Sequence, residues 1–274
     1  MSAPMVFSRY KLLTFLACRR RFQLRYLVQQ PWPDAPQADE WRLASERGLA
    51  FHKLLERHFL GLPPLPAEMG AGEDRALRQW WQRFQEQGPV VPAGQRLPEL
   101  TLMVPVGRHL LTGRFDLLVL TGDGAAHIFD WKTERRPRSL AELAGDWQTR
   151  LYLALLAEGG EALLPGRGLD PAQIRLTYWF VHDPAGGVTI GYNATEHAAS
   201  WAGIRALVAQ IDGQLAETAA WPLTDDWGVC GRCAYQVLCG RLGVPAGEPD
   251  EVEEAWEALA DEDAGAWPML PQLP

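Results

Sequence analysis

Residues 113–152 read GRFDLLVLTGDGAAHIFDWKTERRPRSLAELAGDWQTRLY. Two apolar runs lie in this segment, FDLLVL at 115–120 and AHIFDW at 126–131, and Gly-Asp-Gly at 122–124 separates them. Short apolar runs on either side of a glycine-rich turn are typical of a β-hairpin. The sequence therefore predicts two antiparallel strands here, followed by a helix.

Three charged side chains fall within or directly after these predicted strands: Asp116, Asp130 and Lys132. Successive side chains of a strand point to opposite faces, so Asp130 and Lys132 share a face and Trp131 points the other way. If the hairpin pairs across its turn, Asp116 lies near the same end. We therefore expect two carboxylates and one ammonium group to converge at one edge of the sheet.

Such a group of side chains suits hydrolysis of phosphodiesters. A hard divalent cation binds oxygen ligands, and magnesium commonly takes one or two carboxylates together with water and substrate phosphate. The cation activates the attacking water and stabilises the leaving oxygen, while a neighbouring lysine orients the water or neutralises charge on phosphorus. A D-x-K pattern by itself is more often a solvated pair on a surface hairpin, so the neighbouring sequence has to decide.

The helix after the hairpin carries two more polar candidates. Ser139 and Glu142 form an S-x-x-E capping box, which predicts a helix from this point to about Glu158. Gln148 and Tyr152 are four residues apart and share a face of that helix. Both side chains can hydrogen-bond a phosphate, a base or the attacking water.

Taken together, these motifs resemble a known family. The patterns G-x-x-D (113–116), D-x-K (130–132) and Q-x-x-x-Y (148–152) follow one another in the order and spacing of the PD-(D/E)xK nucleases of the RecB type. The resemblance implies an α/β fold, with a mixed sheet flanked by helices. It also implies that Asp116, Asp130, Lys132, Gln148 and Tyr152 form the catalytic set.

The same resemblance implies a magnesium or manganese site. Its expected ligands are His52, Asp116, Asp130 and the backbone carbonyl of Trp131. His52 lies in RGLAFHKLLERHF (47–59), on the inward face of a helix predicted from about Trp41 to Leu60, where a histidine by itself is usually a core residue. Glu99 is similar to an acidic position often seen in this family.

Four cysteines form a second pattern. Cys18 lies near the start of the chain, whereas Cys230, Cys233 and Cys239 are spaced C-x2-C-x5-C near its end. Four thiolates suit an iron–sulfur cluster or a structural zinc; two disulfides or four buried thiols are the alternatives. The one-plus-three arrangement resembles the [4Fe–4S] site of RecB-type nucleases, including AddB subunits and CRISPR-adaptation nucleases. The resemblance implies a cluster that joins the two ends of the chain.

Charge is distributed unevenly along the chain. The net charge is −8, but residues 246–274 contain nine acidic residues and no basic one, so residues 1–245 carry +1. A basic and aromatic segment at 6–27, with Ser8 as the expected N-cap, predicts an amphipathic helix. Its basic side chains either contact phosphates or form an ordinary solvated face. We expect a nuclease domain at 1–245 and an acidic tail at 246–274.

The other expected elements complete the fold. A helix at 73–87 places Trp80, Trp81 and Phe84 in the core or in the wall of a groove. A loop is predicted at 159–171, and strands at 174–181 and 188–193 are expected on either side of a Pro-Ala-Gly-Gly turn. Thr195 is the predicted N-cap of a helix over 196–219. His58 is expected at the surface.

The resemblance implies a metal-dependent DNA nuclease, and within that class an exonuclease that acts on DNA ends or single strands in repair, recombination or CRISPR adaptation or defence. A partner-activated or non-catalytic DNA-binding subunit of a helicase–nuclease or defence complex is the alternative. No Walker A motif is present, so any helicase would be a separate protein. With no apolar run of about 18 residues and no signal-peptide pattern, a cytoplasmic location is expected.

Overall fold

The computed structural model describes residues 3–31, 39–63, 75–231 and 233–241, with the backbone alone at 39–42. The predicted acidic tail at 246–274 lies outside these residues. The helices are α1 (Arg9–Ala17), α2 (Arg19–Phe22), α3 (Asp39–Phe59), α4 (Arg75–Gln87), α5 (Leu140–Gly145), α6 (Trp147–Leu163), α7 (Ala194–Gln214) and α8 (Trp227–Gly231). The strands are β1 (Val6–Phe7), β2 (Gln95–Val106), β3 (His109–Leu120), β4 (Ala126–Lys132), β5 (Ile174–Phe180) and β6 (Asp183–Gly191).

The six strands found in the described residues form one mixed sheet. Its order is β1-β3-β4-β5-β6, with β2 paired along β3. The β3–β4 hairpin is antiparallel, β4 and β5 are parallel, and β5 and β6 are antiparallel. This arrangement confirms the predicted hairpin and the predicted α/β class with a mixed sheet between helices.

Hydrophobic cores cover both faces of the sheet. One core packs α1, α6 and α7 on the face that includes Ile128 of β4. The other packs α3 and α4 on the face that includes Phe129 and Trp131. Trp80 and Phe84 are buried in this second core, and Trp81 packs against it; His58 is exposed, as expected. The predicted site residues lie near the end of β4. His52 approaches from the α3 side of the sheet, and Gln148 approaches from the α6 side.

The alternation of side chains along β3 shifts by one residue at Asp116. Phe115 and Leu118 pack in the core under α6, whereas Leu117 packs in the core under α3 and α4. A regular strand would place residues 115 and 117 on the same face and residue 118 on the opposite one. The shift turns Asp116 towards α3, although Asp130 and Lys132 belong to the other face of the sheet.

Several predicted boundaries are wrong, and each has a local cause. The capping box of Ser139 and Glu142 is present, but the helix it opens ends at Gly145 instead of about Glu158. Asp146 adopts an extended conformation (φ −71°, ψ 145°) and begins α6 as a new N-cap. The first predicted helix is likewise broken at Cys18, which is extended (φ −160°, ψ 113°) and caps α2.

The C-terminal half also differs from expectation. The Pro-Ala-Gly-Gly segment at 184–187 is part of β6, so the hairpin turns earlier, at 181–182. Asn193, not Thr195, caps α7, because its side chain accepts hydrogen bonds from the backbone N–H groups of Thr195 and Glu196. This helix ends at Gln214 instead of residue 219, and α6 extends to Leu163, into the predicted loop.

Within the described residues, no helix combines the length and the apolar character that crossing a membrane requires.

Candidate active site

The site begins where β3 and β4 separate. Their ladder ends at the pair Leu117 and Phe129, one residue before Asp116 and Asp130 would face each other. Instead of a ladder bond, the Asp116 Oδ2 accepts a hydrogen bond of 2.7 Å from the backbone N–H of Trp131. The Asp116 carboxylate is thus fixed against β4, and its Oδ1 faces α3. The predicted convergence of the two aspartates at one end of the hairpin is what the structure shows.

Asp130, Lys132 and Gln148 form a closed hydrogen-bonded triangle. Lys132 Nζ lies 3.1 Å from Asp130 Oδ1 and donates a 2.9 Å hydrogen bond to Gln148 Oε1. Gln148 Nε2 donates a 2.8 Å hydrogen bond to Asp130 Oδ2. All three residues are buried, at 3%, 4% and 4% exposure respectively. Burial of an ion pair is tolerable because each remaining polar atom has a partner.

Gln148 is held in this position by the break between α5 and α6. The Asp146 side chain accepts a hydrogen bond of 2.8 Å from the Gln148 backbone N–H. The same carboxylate pairs with the Arg138 guanidinium and lies 3.9 Å from the Arg9 guanidinium. Asp146 is therefore the N-cap that fixes where α6 begins. Its position is held by Arg9 of α1 and by Arg138 of the loop after β4. Asp146 was not predicted from the sequence. Its D-x-Q spacing is compatible with an N-cap, but the residues around it follow a continuous helical pattern.

His52 approaches the site from α3. Its Nδ1 lies 3.3 Å from Asp116 Oδ1, and both side chains are mostly buried, with exposures of 16% and 14%. Glu99 of β2 joins this pair, because ligand atoms of His52, Glu99 and Asp116 all lie within 4.8 Å of one another. Glu99 also pairs with Arg114, Nε to Oε2, at 3.1 Å.

Protonation is strongly perturbed in this group. Burial is the largest influence on His52 and by itself would lower its pKa, but the combined attraction of Asp116, Glu99 and Asp130 raises that pKa. Burial likewise acts to raise the pKa of Asp116, yet the pull of His52 and of the Trp131 N–H lowers it. Asp116 is therefore the carboxylate that keeps its negative charge most firmly.

The other two carboxylates behave differently. Burial, reinforced by repulsion from Asp116, raises the pKa of Glu99 to about 7. Burial also raises the pKa of Asp130, with Lys132 opposing the shift and Asp116 adding to it. Both shifts reflect negative charges close together away from water. A cation bound between these carboxylates would favour their charged forms and would lower the pKa values of Glu99 and Asp130.

The two remaining predicted residues lie at the edge of this group. Tyr152 is on α6, one turn after Gln148, and packs edge to face on Phe115 with ring centroids 5.1 Å apart. The Trp131 side chain stacks on Phe59 in the core, which leaves its backbone as the part near the site. Tyr178 of β5 was not predicted. Lys132 Nζ lies over its ring at 5.5 Å, and its hydroxyl bonds Thr149 at 2.9 Å.

Comparison with known proteins agrees with this geometry. A sequence model of the family described as “PD-(D/E)XK nuclease superfamily” matches residues 6–240. The chain belongs to this superfamily.

The fold of this PD-(D/E)XK nuclease is similar to solved structures at low sequence identity. One, named “Putative exonuclease” and from Eubacterium rectale, has a TM-score of 0.51 and 10% identity, covering 97% of this chain and 90% of that one. Another, SSO0001, has a TM-score of 0.40 and 14% identity, covering 88% of each chain. A search of curated proteins finds no match. The similarity to the Eubacterium rectale protein is one of fold.

The PD-(D/E)XK nuclease chain brings its four cysteines to one place. All are free thiols, and all four line one partly open cavity. Three arginines lie in or beside this cavity: Arg20, Arg21 and Arg241. Burial raises the pKa of Cys233 and of Cys239, and the neighbouring thiols add to both shifts, while Arg21 and Arg20 oppose them.

The spacing of these sulfurs bears on what they could bind. Among the described residues, which include all four cysteines, no three sulfurs lie within 4.8 Å of one another. Tetrahedral zinc with Zn–S bonds of about 2.3 Å requires sulfurs roughly 3.8 Å apart. Within the described residues, the four sulfurs are therefore not arranged as a preformed mononuclear zinc site.

Proposed function

We propose that this protein is a divalent-metal-dependent deoxyribonuclease that removes nucleotides from DNA ends or single strands. The observation that carries the proposal is the meeting of Asp116, Asp130 and Lys132 at the open end of the β3–β4 hairpin. Membership of a nuclease superfamily supports the reaction class. The name of the Eubacterium rectale structure supports exonuclease action.

In this proposal Asp116, Asp130, His52 and the carbonyl of Trp131 hold magnesium or manganese. The donor set fits such a cation, since it consists of oxygen atoms and one imidazole nitrogen, and the nitrogen makes manganese at least as suitable as magnesium. When bound, the cation supplies Lewis-acid activation of water and stabilises the leaving oxygen. The Trp131 N–H keeps Asp116 oriented for this role through its 2.7 Å hydrogen bond.

Lys132 and Gln148 act on the phosphate and the attacking water. Asp130 and Gln148 hold Lys132 in place, so its ammonium group is already oriented before the substrate binds. A preorganised cation stabilises the growing negative charge on phosphorus without the cost of reorganising water. Gln148 holds the Lys132 and Asp130 side chains in a fixed relative position. Tyr152 orients the substrate from the next turn of α6.

Cleavage of end-labelled DNA tests the proposal. Purified protein, prepared without air, is incubated with single-stranded and double-stranded DNA labelled at either end, with manganese and then with magnesium. We expect shortening from an end that stops with a chelator and falls by at least about 10²-fold in Lys132→Ala and Asp116→Ala. Lys53→Ala is the matched control, because Lys53 is an exposed lysine paired with Glu56 on α3.

Normal cleavage by Asp116→Ala would overturn the proposal. A wild-type protein that binds DNA but does not cut it with either metal would instead favour the non-catalytic subunit. The position of the label that is released first gives the polarity of digestion.

We also propose that Cys18, Cys230, Cys233 and Cys239 bind a [4Fe–4S] cluster. The support is their common cavity, their one-plus-three spacing in the sequence and the neighbouring arginines, whose positive charge offsets the negative charge of thiolates and a cluster. The cluster would join the loop between α1 and α2 to the segment after α8. It supplies no step of hydrolysis, and its role is structural.

A further inference from the structure

Three basic side chains meet just beyond the ends of β4 and β5. Arg83 comes from α4, Arg135 from the loop after β4, and His182 from the turn between β5 and β6. Burial lowers the pKa of His182, and the positive charges of Arg83 and Arg135 lower it further, so the three groups are close in space. Arg135 and His182 are exposed and Arg83 is half-buried. Three separate elements therefore bring positive charge to one place at the surface.

Packing against α4 holds this basic cluster of Arg83, Arg135 and His182 in place. Arg83 Nη1 donates a hydrogen bond of 3.0 Å to the backbone carbonyl of Val181. The His182 ring packs edge to face on the buried Trp80, with ring centroids 5.5 Å apart. The Trp179 Nε1 donates to one carbonyl at the end of α4 and to another at the start of β6, at 3.2 and 3.1 Å. The β5–β6 turn is thus fixed to α4 before any ligand binds.

The charge of Arg83 is not neutralised by a neighbouring acid. Within the described residues, its hydrogen bond goes to an uncharged carbonyl, and its guanidinium has no carboxylate at ion-pair distance. Glu134 and Asp183 adjoin the cluster in sequence, yet the two charges that act on His182 are both positive. Like charges held together favour an anion between them. Guanidinium groups suit phosphate best, because their planar N–H groups form paired hydrogen bonds with its oxygens.

The basic cluster adjoins the proposed catalytic lysine through the sheet. The backbone N–H of Val181 donates a 2.9 Å hydrogen bond to the carbonyl of Lys132, and His182 is the next residue along the chain. Val181 packs in the core under α3 and α4, on the side of the sheet from which His52 approaches. A DNA strand that reaches Lys132 along this edge therefore passes the cluster.

We propose that Arg83, Arg135 and His182 bind a phosphate of the DNA strand close to the bond that is cut. This inference rests on the proposed function and adds a binding site outside the carboxylates and Lys132. A strand held both at the cluster and at the catalytic residues is fixed at two points, which sets the bond presented for cleavage. Contacts to phosphate position a strand without reading its sequence. The phosphate belongs either to an internal linkage or to a strand end.

DNA binding by the full-length protein tests the inference without measuring cleavage. Single-stranded oligonucleotides with an internal fluorescent label are titrated with protein in calcium, and electrophoresis confirms that they stay intact. Arg83→Gln should raise the Kd about 10-fold and reduce the slope of log Kd against log salt concentration by about 0.7, the value for one phosphate contact. His182→Gln should raise the Kd about 3-fold.

Arg175→Gln is the matched control. Arg175 is an exposed arginine near the start of β5, at the opposite end of the strand that leads to His182. Its substitution makes the same change in net charge and should alter neither the Kd nor the salt slope.

Altered oligonucleotides distinguish the two sources of the phosphate. One set carries a single neutral methylphosphonate linkage at successive positions, and another carries or lacks a phosphate at each end. For an internal phosphate, one neutral linkage should weaken binding by wild type about 10-fold and leave binding by Arg83→Gln unchanged. For a terminal phosphate, wild type should prefer one phosphorylated end about 10-fold, and Arg83→Gln should lose that preference. Either result supports the site, and neither one appearing overturns it.

Thermal unfolding shows whether the variants are folded. His182→Gln changes an exposed side chain and should melt as wild type does, so it tests the site even if Arg83→Gln is unstable. Wild-type values of Kd and salt slope in the folded variants overturn the phosphate site. If wild type cuts DNA in that case, the nuclease proposal stands. A wild type that neither binds nor cuts DNA overturns both.

Discussion

Among single residues, Gln148 has the most direct control over the arrangement of charge. Its amide oxygen accepts a hydrogen bond from Lys132, and its amide nitrogen donates one to Asp130. Gln148→Leu keeps the side-chain volume but removes both hydrogen bonds, so Lys132 loses one of the contacts that orient its ammonium group. We expect the rate of cleavage at saturating DNA to fall about 10²-fold, with little change in apparent DNA affinity.

Single-turnover rates and apparent KM values measure this effect. Gln82→Leu on α4 is the control, because Gln82 is exposed and bonds Glu86. An unchanged rate in Gln148→Leu would show that Lys132 needs no support from α6.

A second residue-scale prediction concerns His127 of β4. Its Nε2 bonds Thr177 at 2.8 Å, and burial, with repulsion from Arg175, lowers its pKa from 6.5 to about 4. Between these two values the unfolded chain binds a proton that the native chain does not. Native stability should therefore be full above about pH 6.5 and should fall as the pH drops towards 4. Because the side chain is partly exposed, we expect this residue to account for about 1–2 kcal/mol.

Urea unfolding at pH 7, 5.5 and 4.5 checks the His127 prediction. His127→Gln retains a hydrogen-bonding side chain but does not titrate, so its free energy of unfolding should fall less steeply with acid. Parallel curves for wild type and variant would contradict the prediction.

The sequence predicted most of the polar residues of the candidate site but not the contacts that position them. Asp116, Asp130, Lys132 and Gln148 belong to motifs of fixed spacing, and strand alternation correctly placed Asp130 and Lys132 on one face. Asp146 could not be found in this way, because its partners Arg9 and Arg138 are set by tertiary packing. The prominence of Glu99 likewise depends on strand register, which the sequence pattern did not specify.

At the scale of elements, the break between α5 and α6 links secondary structure to the site. Asp146→Ala removes the N-cap of α6 and the carboxylate that Arg9 and Arg138 share. We expect a loss of about 1–2 kcal/mol in the free energy of unfolding together with slower cleavage, because Gln148 starts the same helical turn.

Ser139→Ala is the matched cap deletion. It removes the capping box of α5, which is exposed and contacts no site residue in the described contacts, so it should lower stability by about 1 kcal/mol or less and leave cleavage unchanged. Chemical denaturation and cleavage rates measured on both variants give the comparison. Equal effects on cleavage would mean that α6 needs no cap to position Gln148.

Elements were predicted best where apolar spacing dominates. The hairpin, α3, α4 and β5 were found to within a few residues. The shift in alternation at Asp116 was not, because FDLLVL is apolar at nearly every position and shows no clear period. Similarly, the helical pattern from 139 to 158 does not indicate a break at Asp146. The break is stabilised by ion pairs with Arg9 and Arg138, which depend on tertiary packing.

For the whole molecule, the segment 18–30 near the start of the chain packs against the segment 219–241, and these two segments carry the four cysteines. Several contacts besides the cysteines join them. Phe22 stacks on Trp221 with ring centroids 5.7 Å apart, Gln23 bonds the backbone of Ala219 and of Trp221, and Tyr235 donates to the Gln30 carbonyl at 2.9 Å. The family resemblance implied that a cysteine-bound cluster joins these two segments, but it gave no indication of these other contacts.

The cysteine cluster can be separated from these contacts by two variants. Cys233→Ala removes one proposed cluster ligand, so we expect loss of the brown colour and of bound iron, and a lower melting temperature. Tyr235→Phe removes the hydrogen bond to Gln30 beside the same cavity and should cost only about 1 kcal/mol, with colour and iron retained. Visible absorbance, iron content and thermal unfolding, all measured without air, give the comparison.

Because stacking and hydrogen bonds also hold these two segments together, the variant without a cluster should keep its folded sheet and bind manganese at the carboxylates of the candidate active site. A colourless, iron-free wild type as stable as Cys233→Ala would show that packing alone closes the chain.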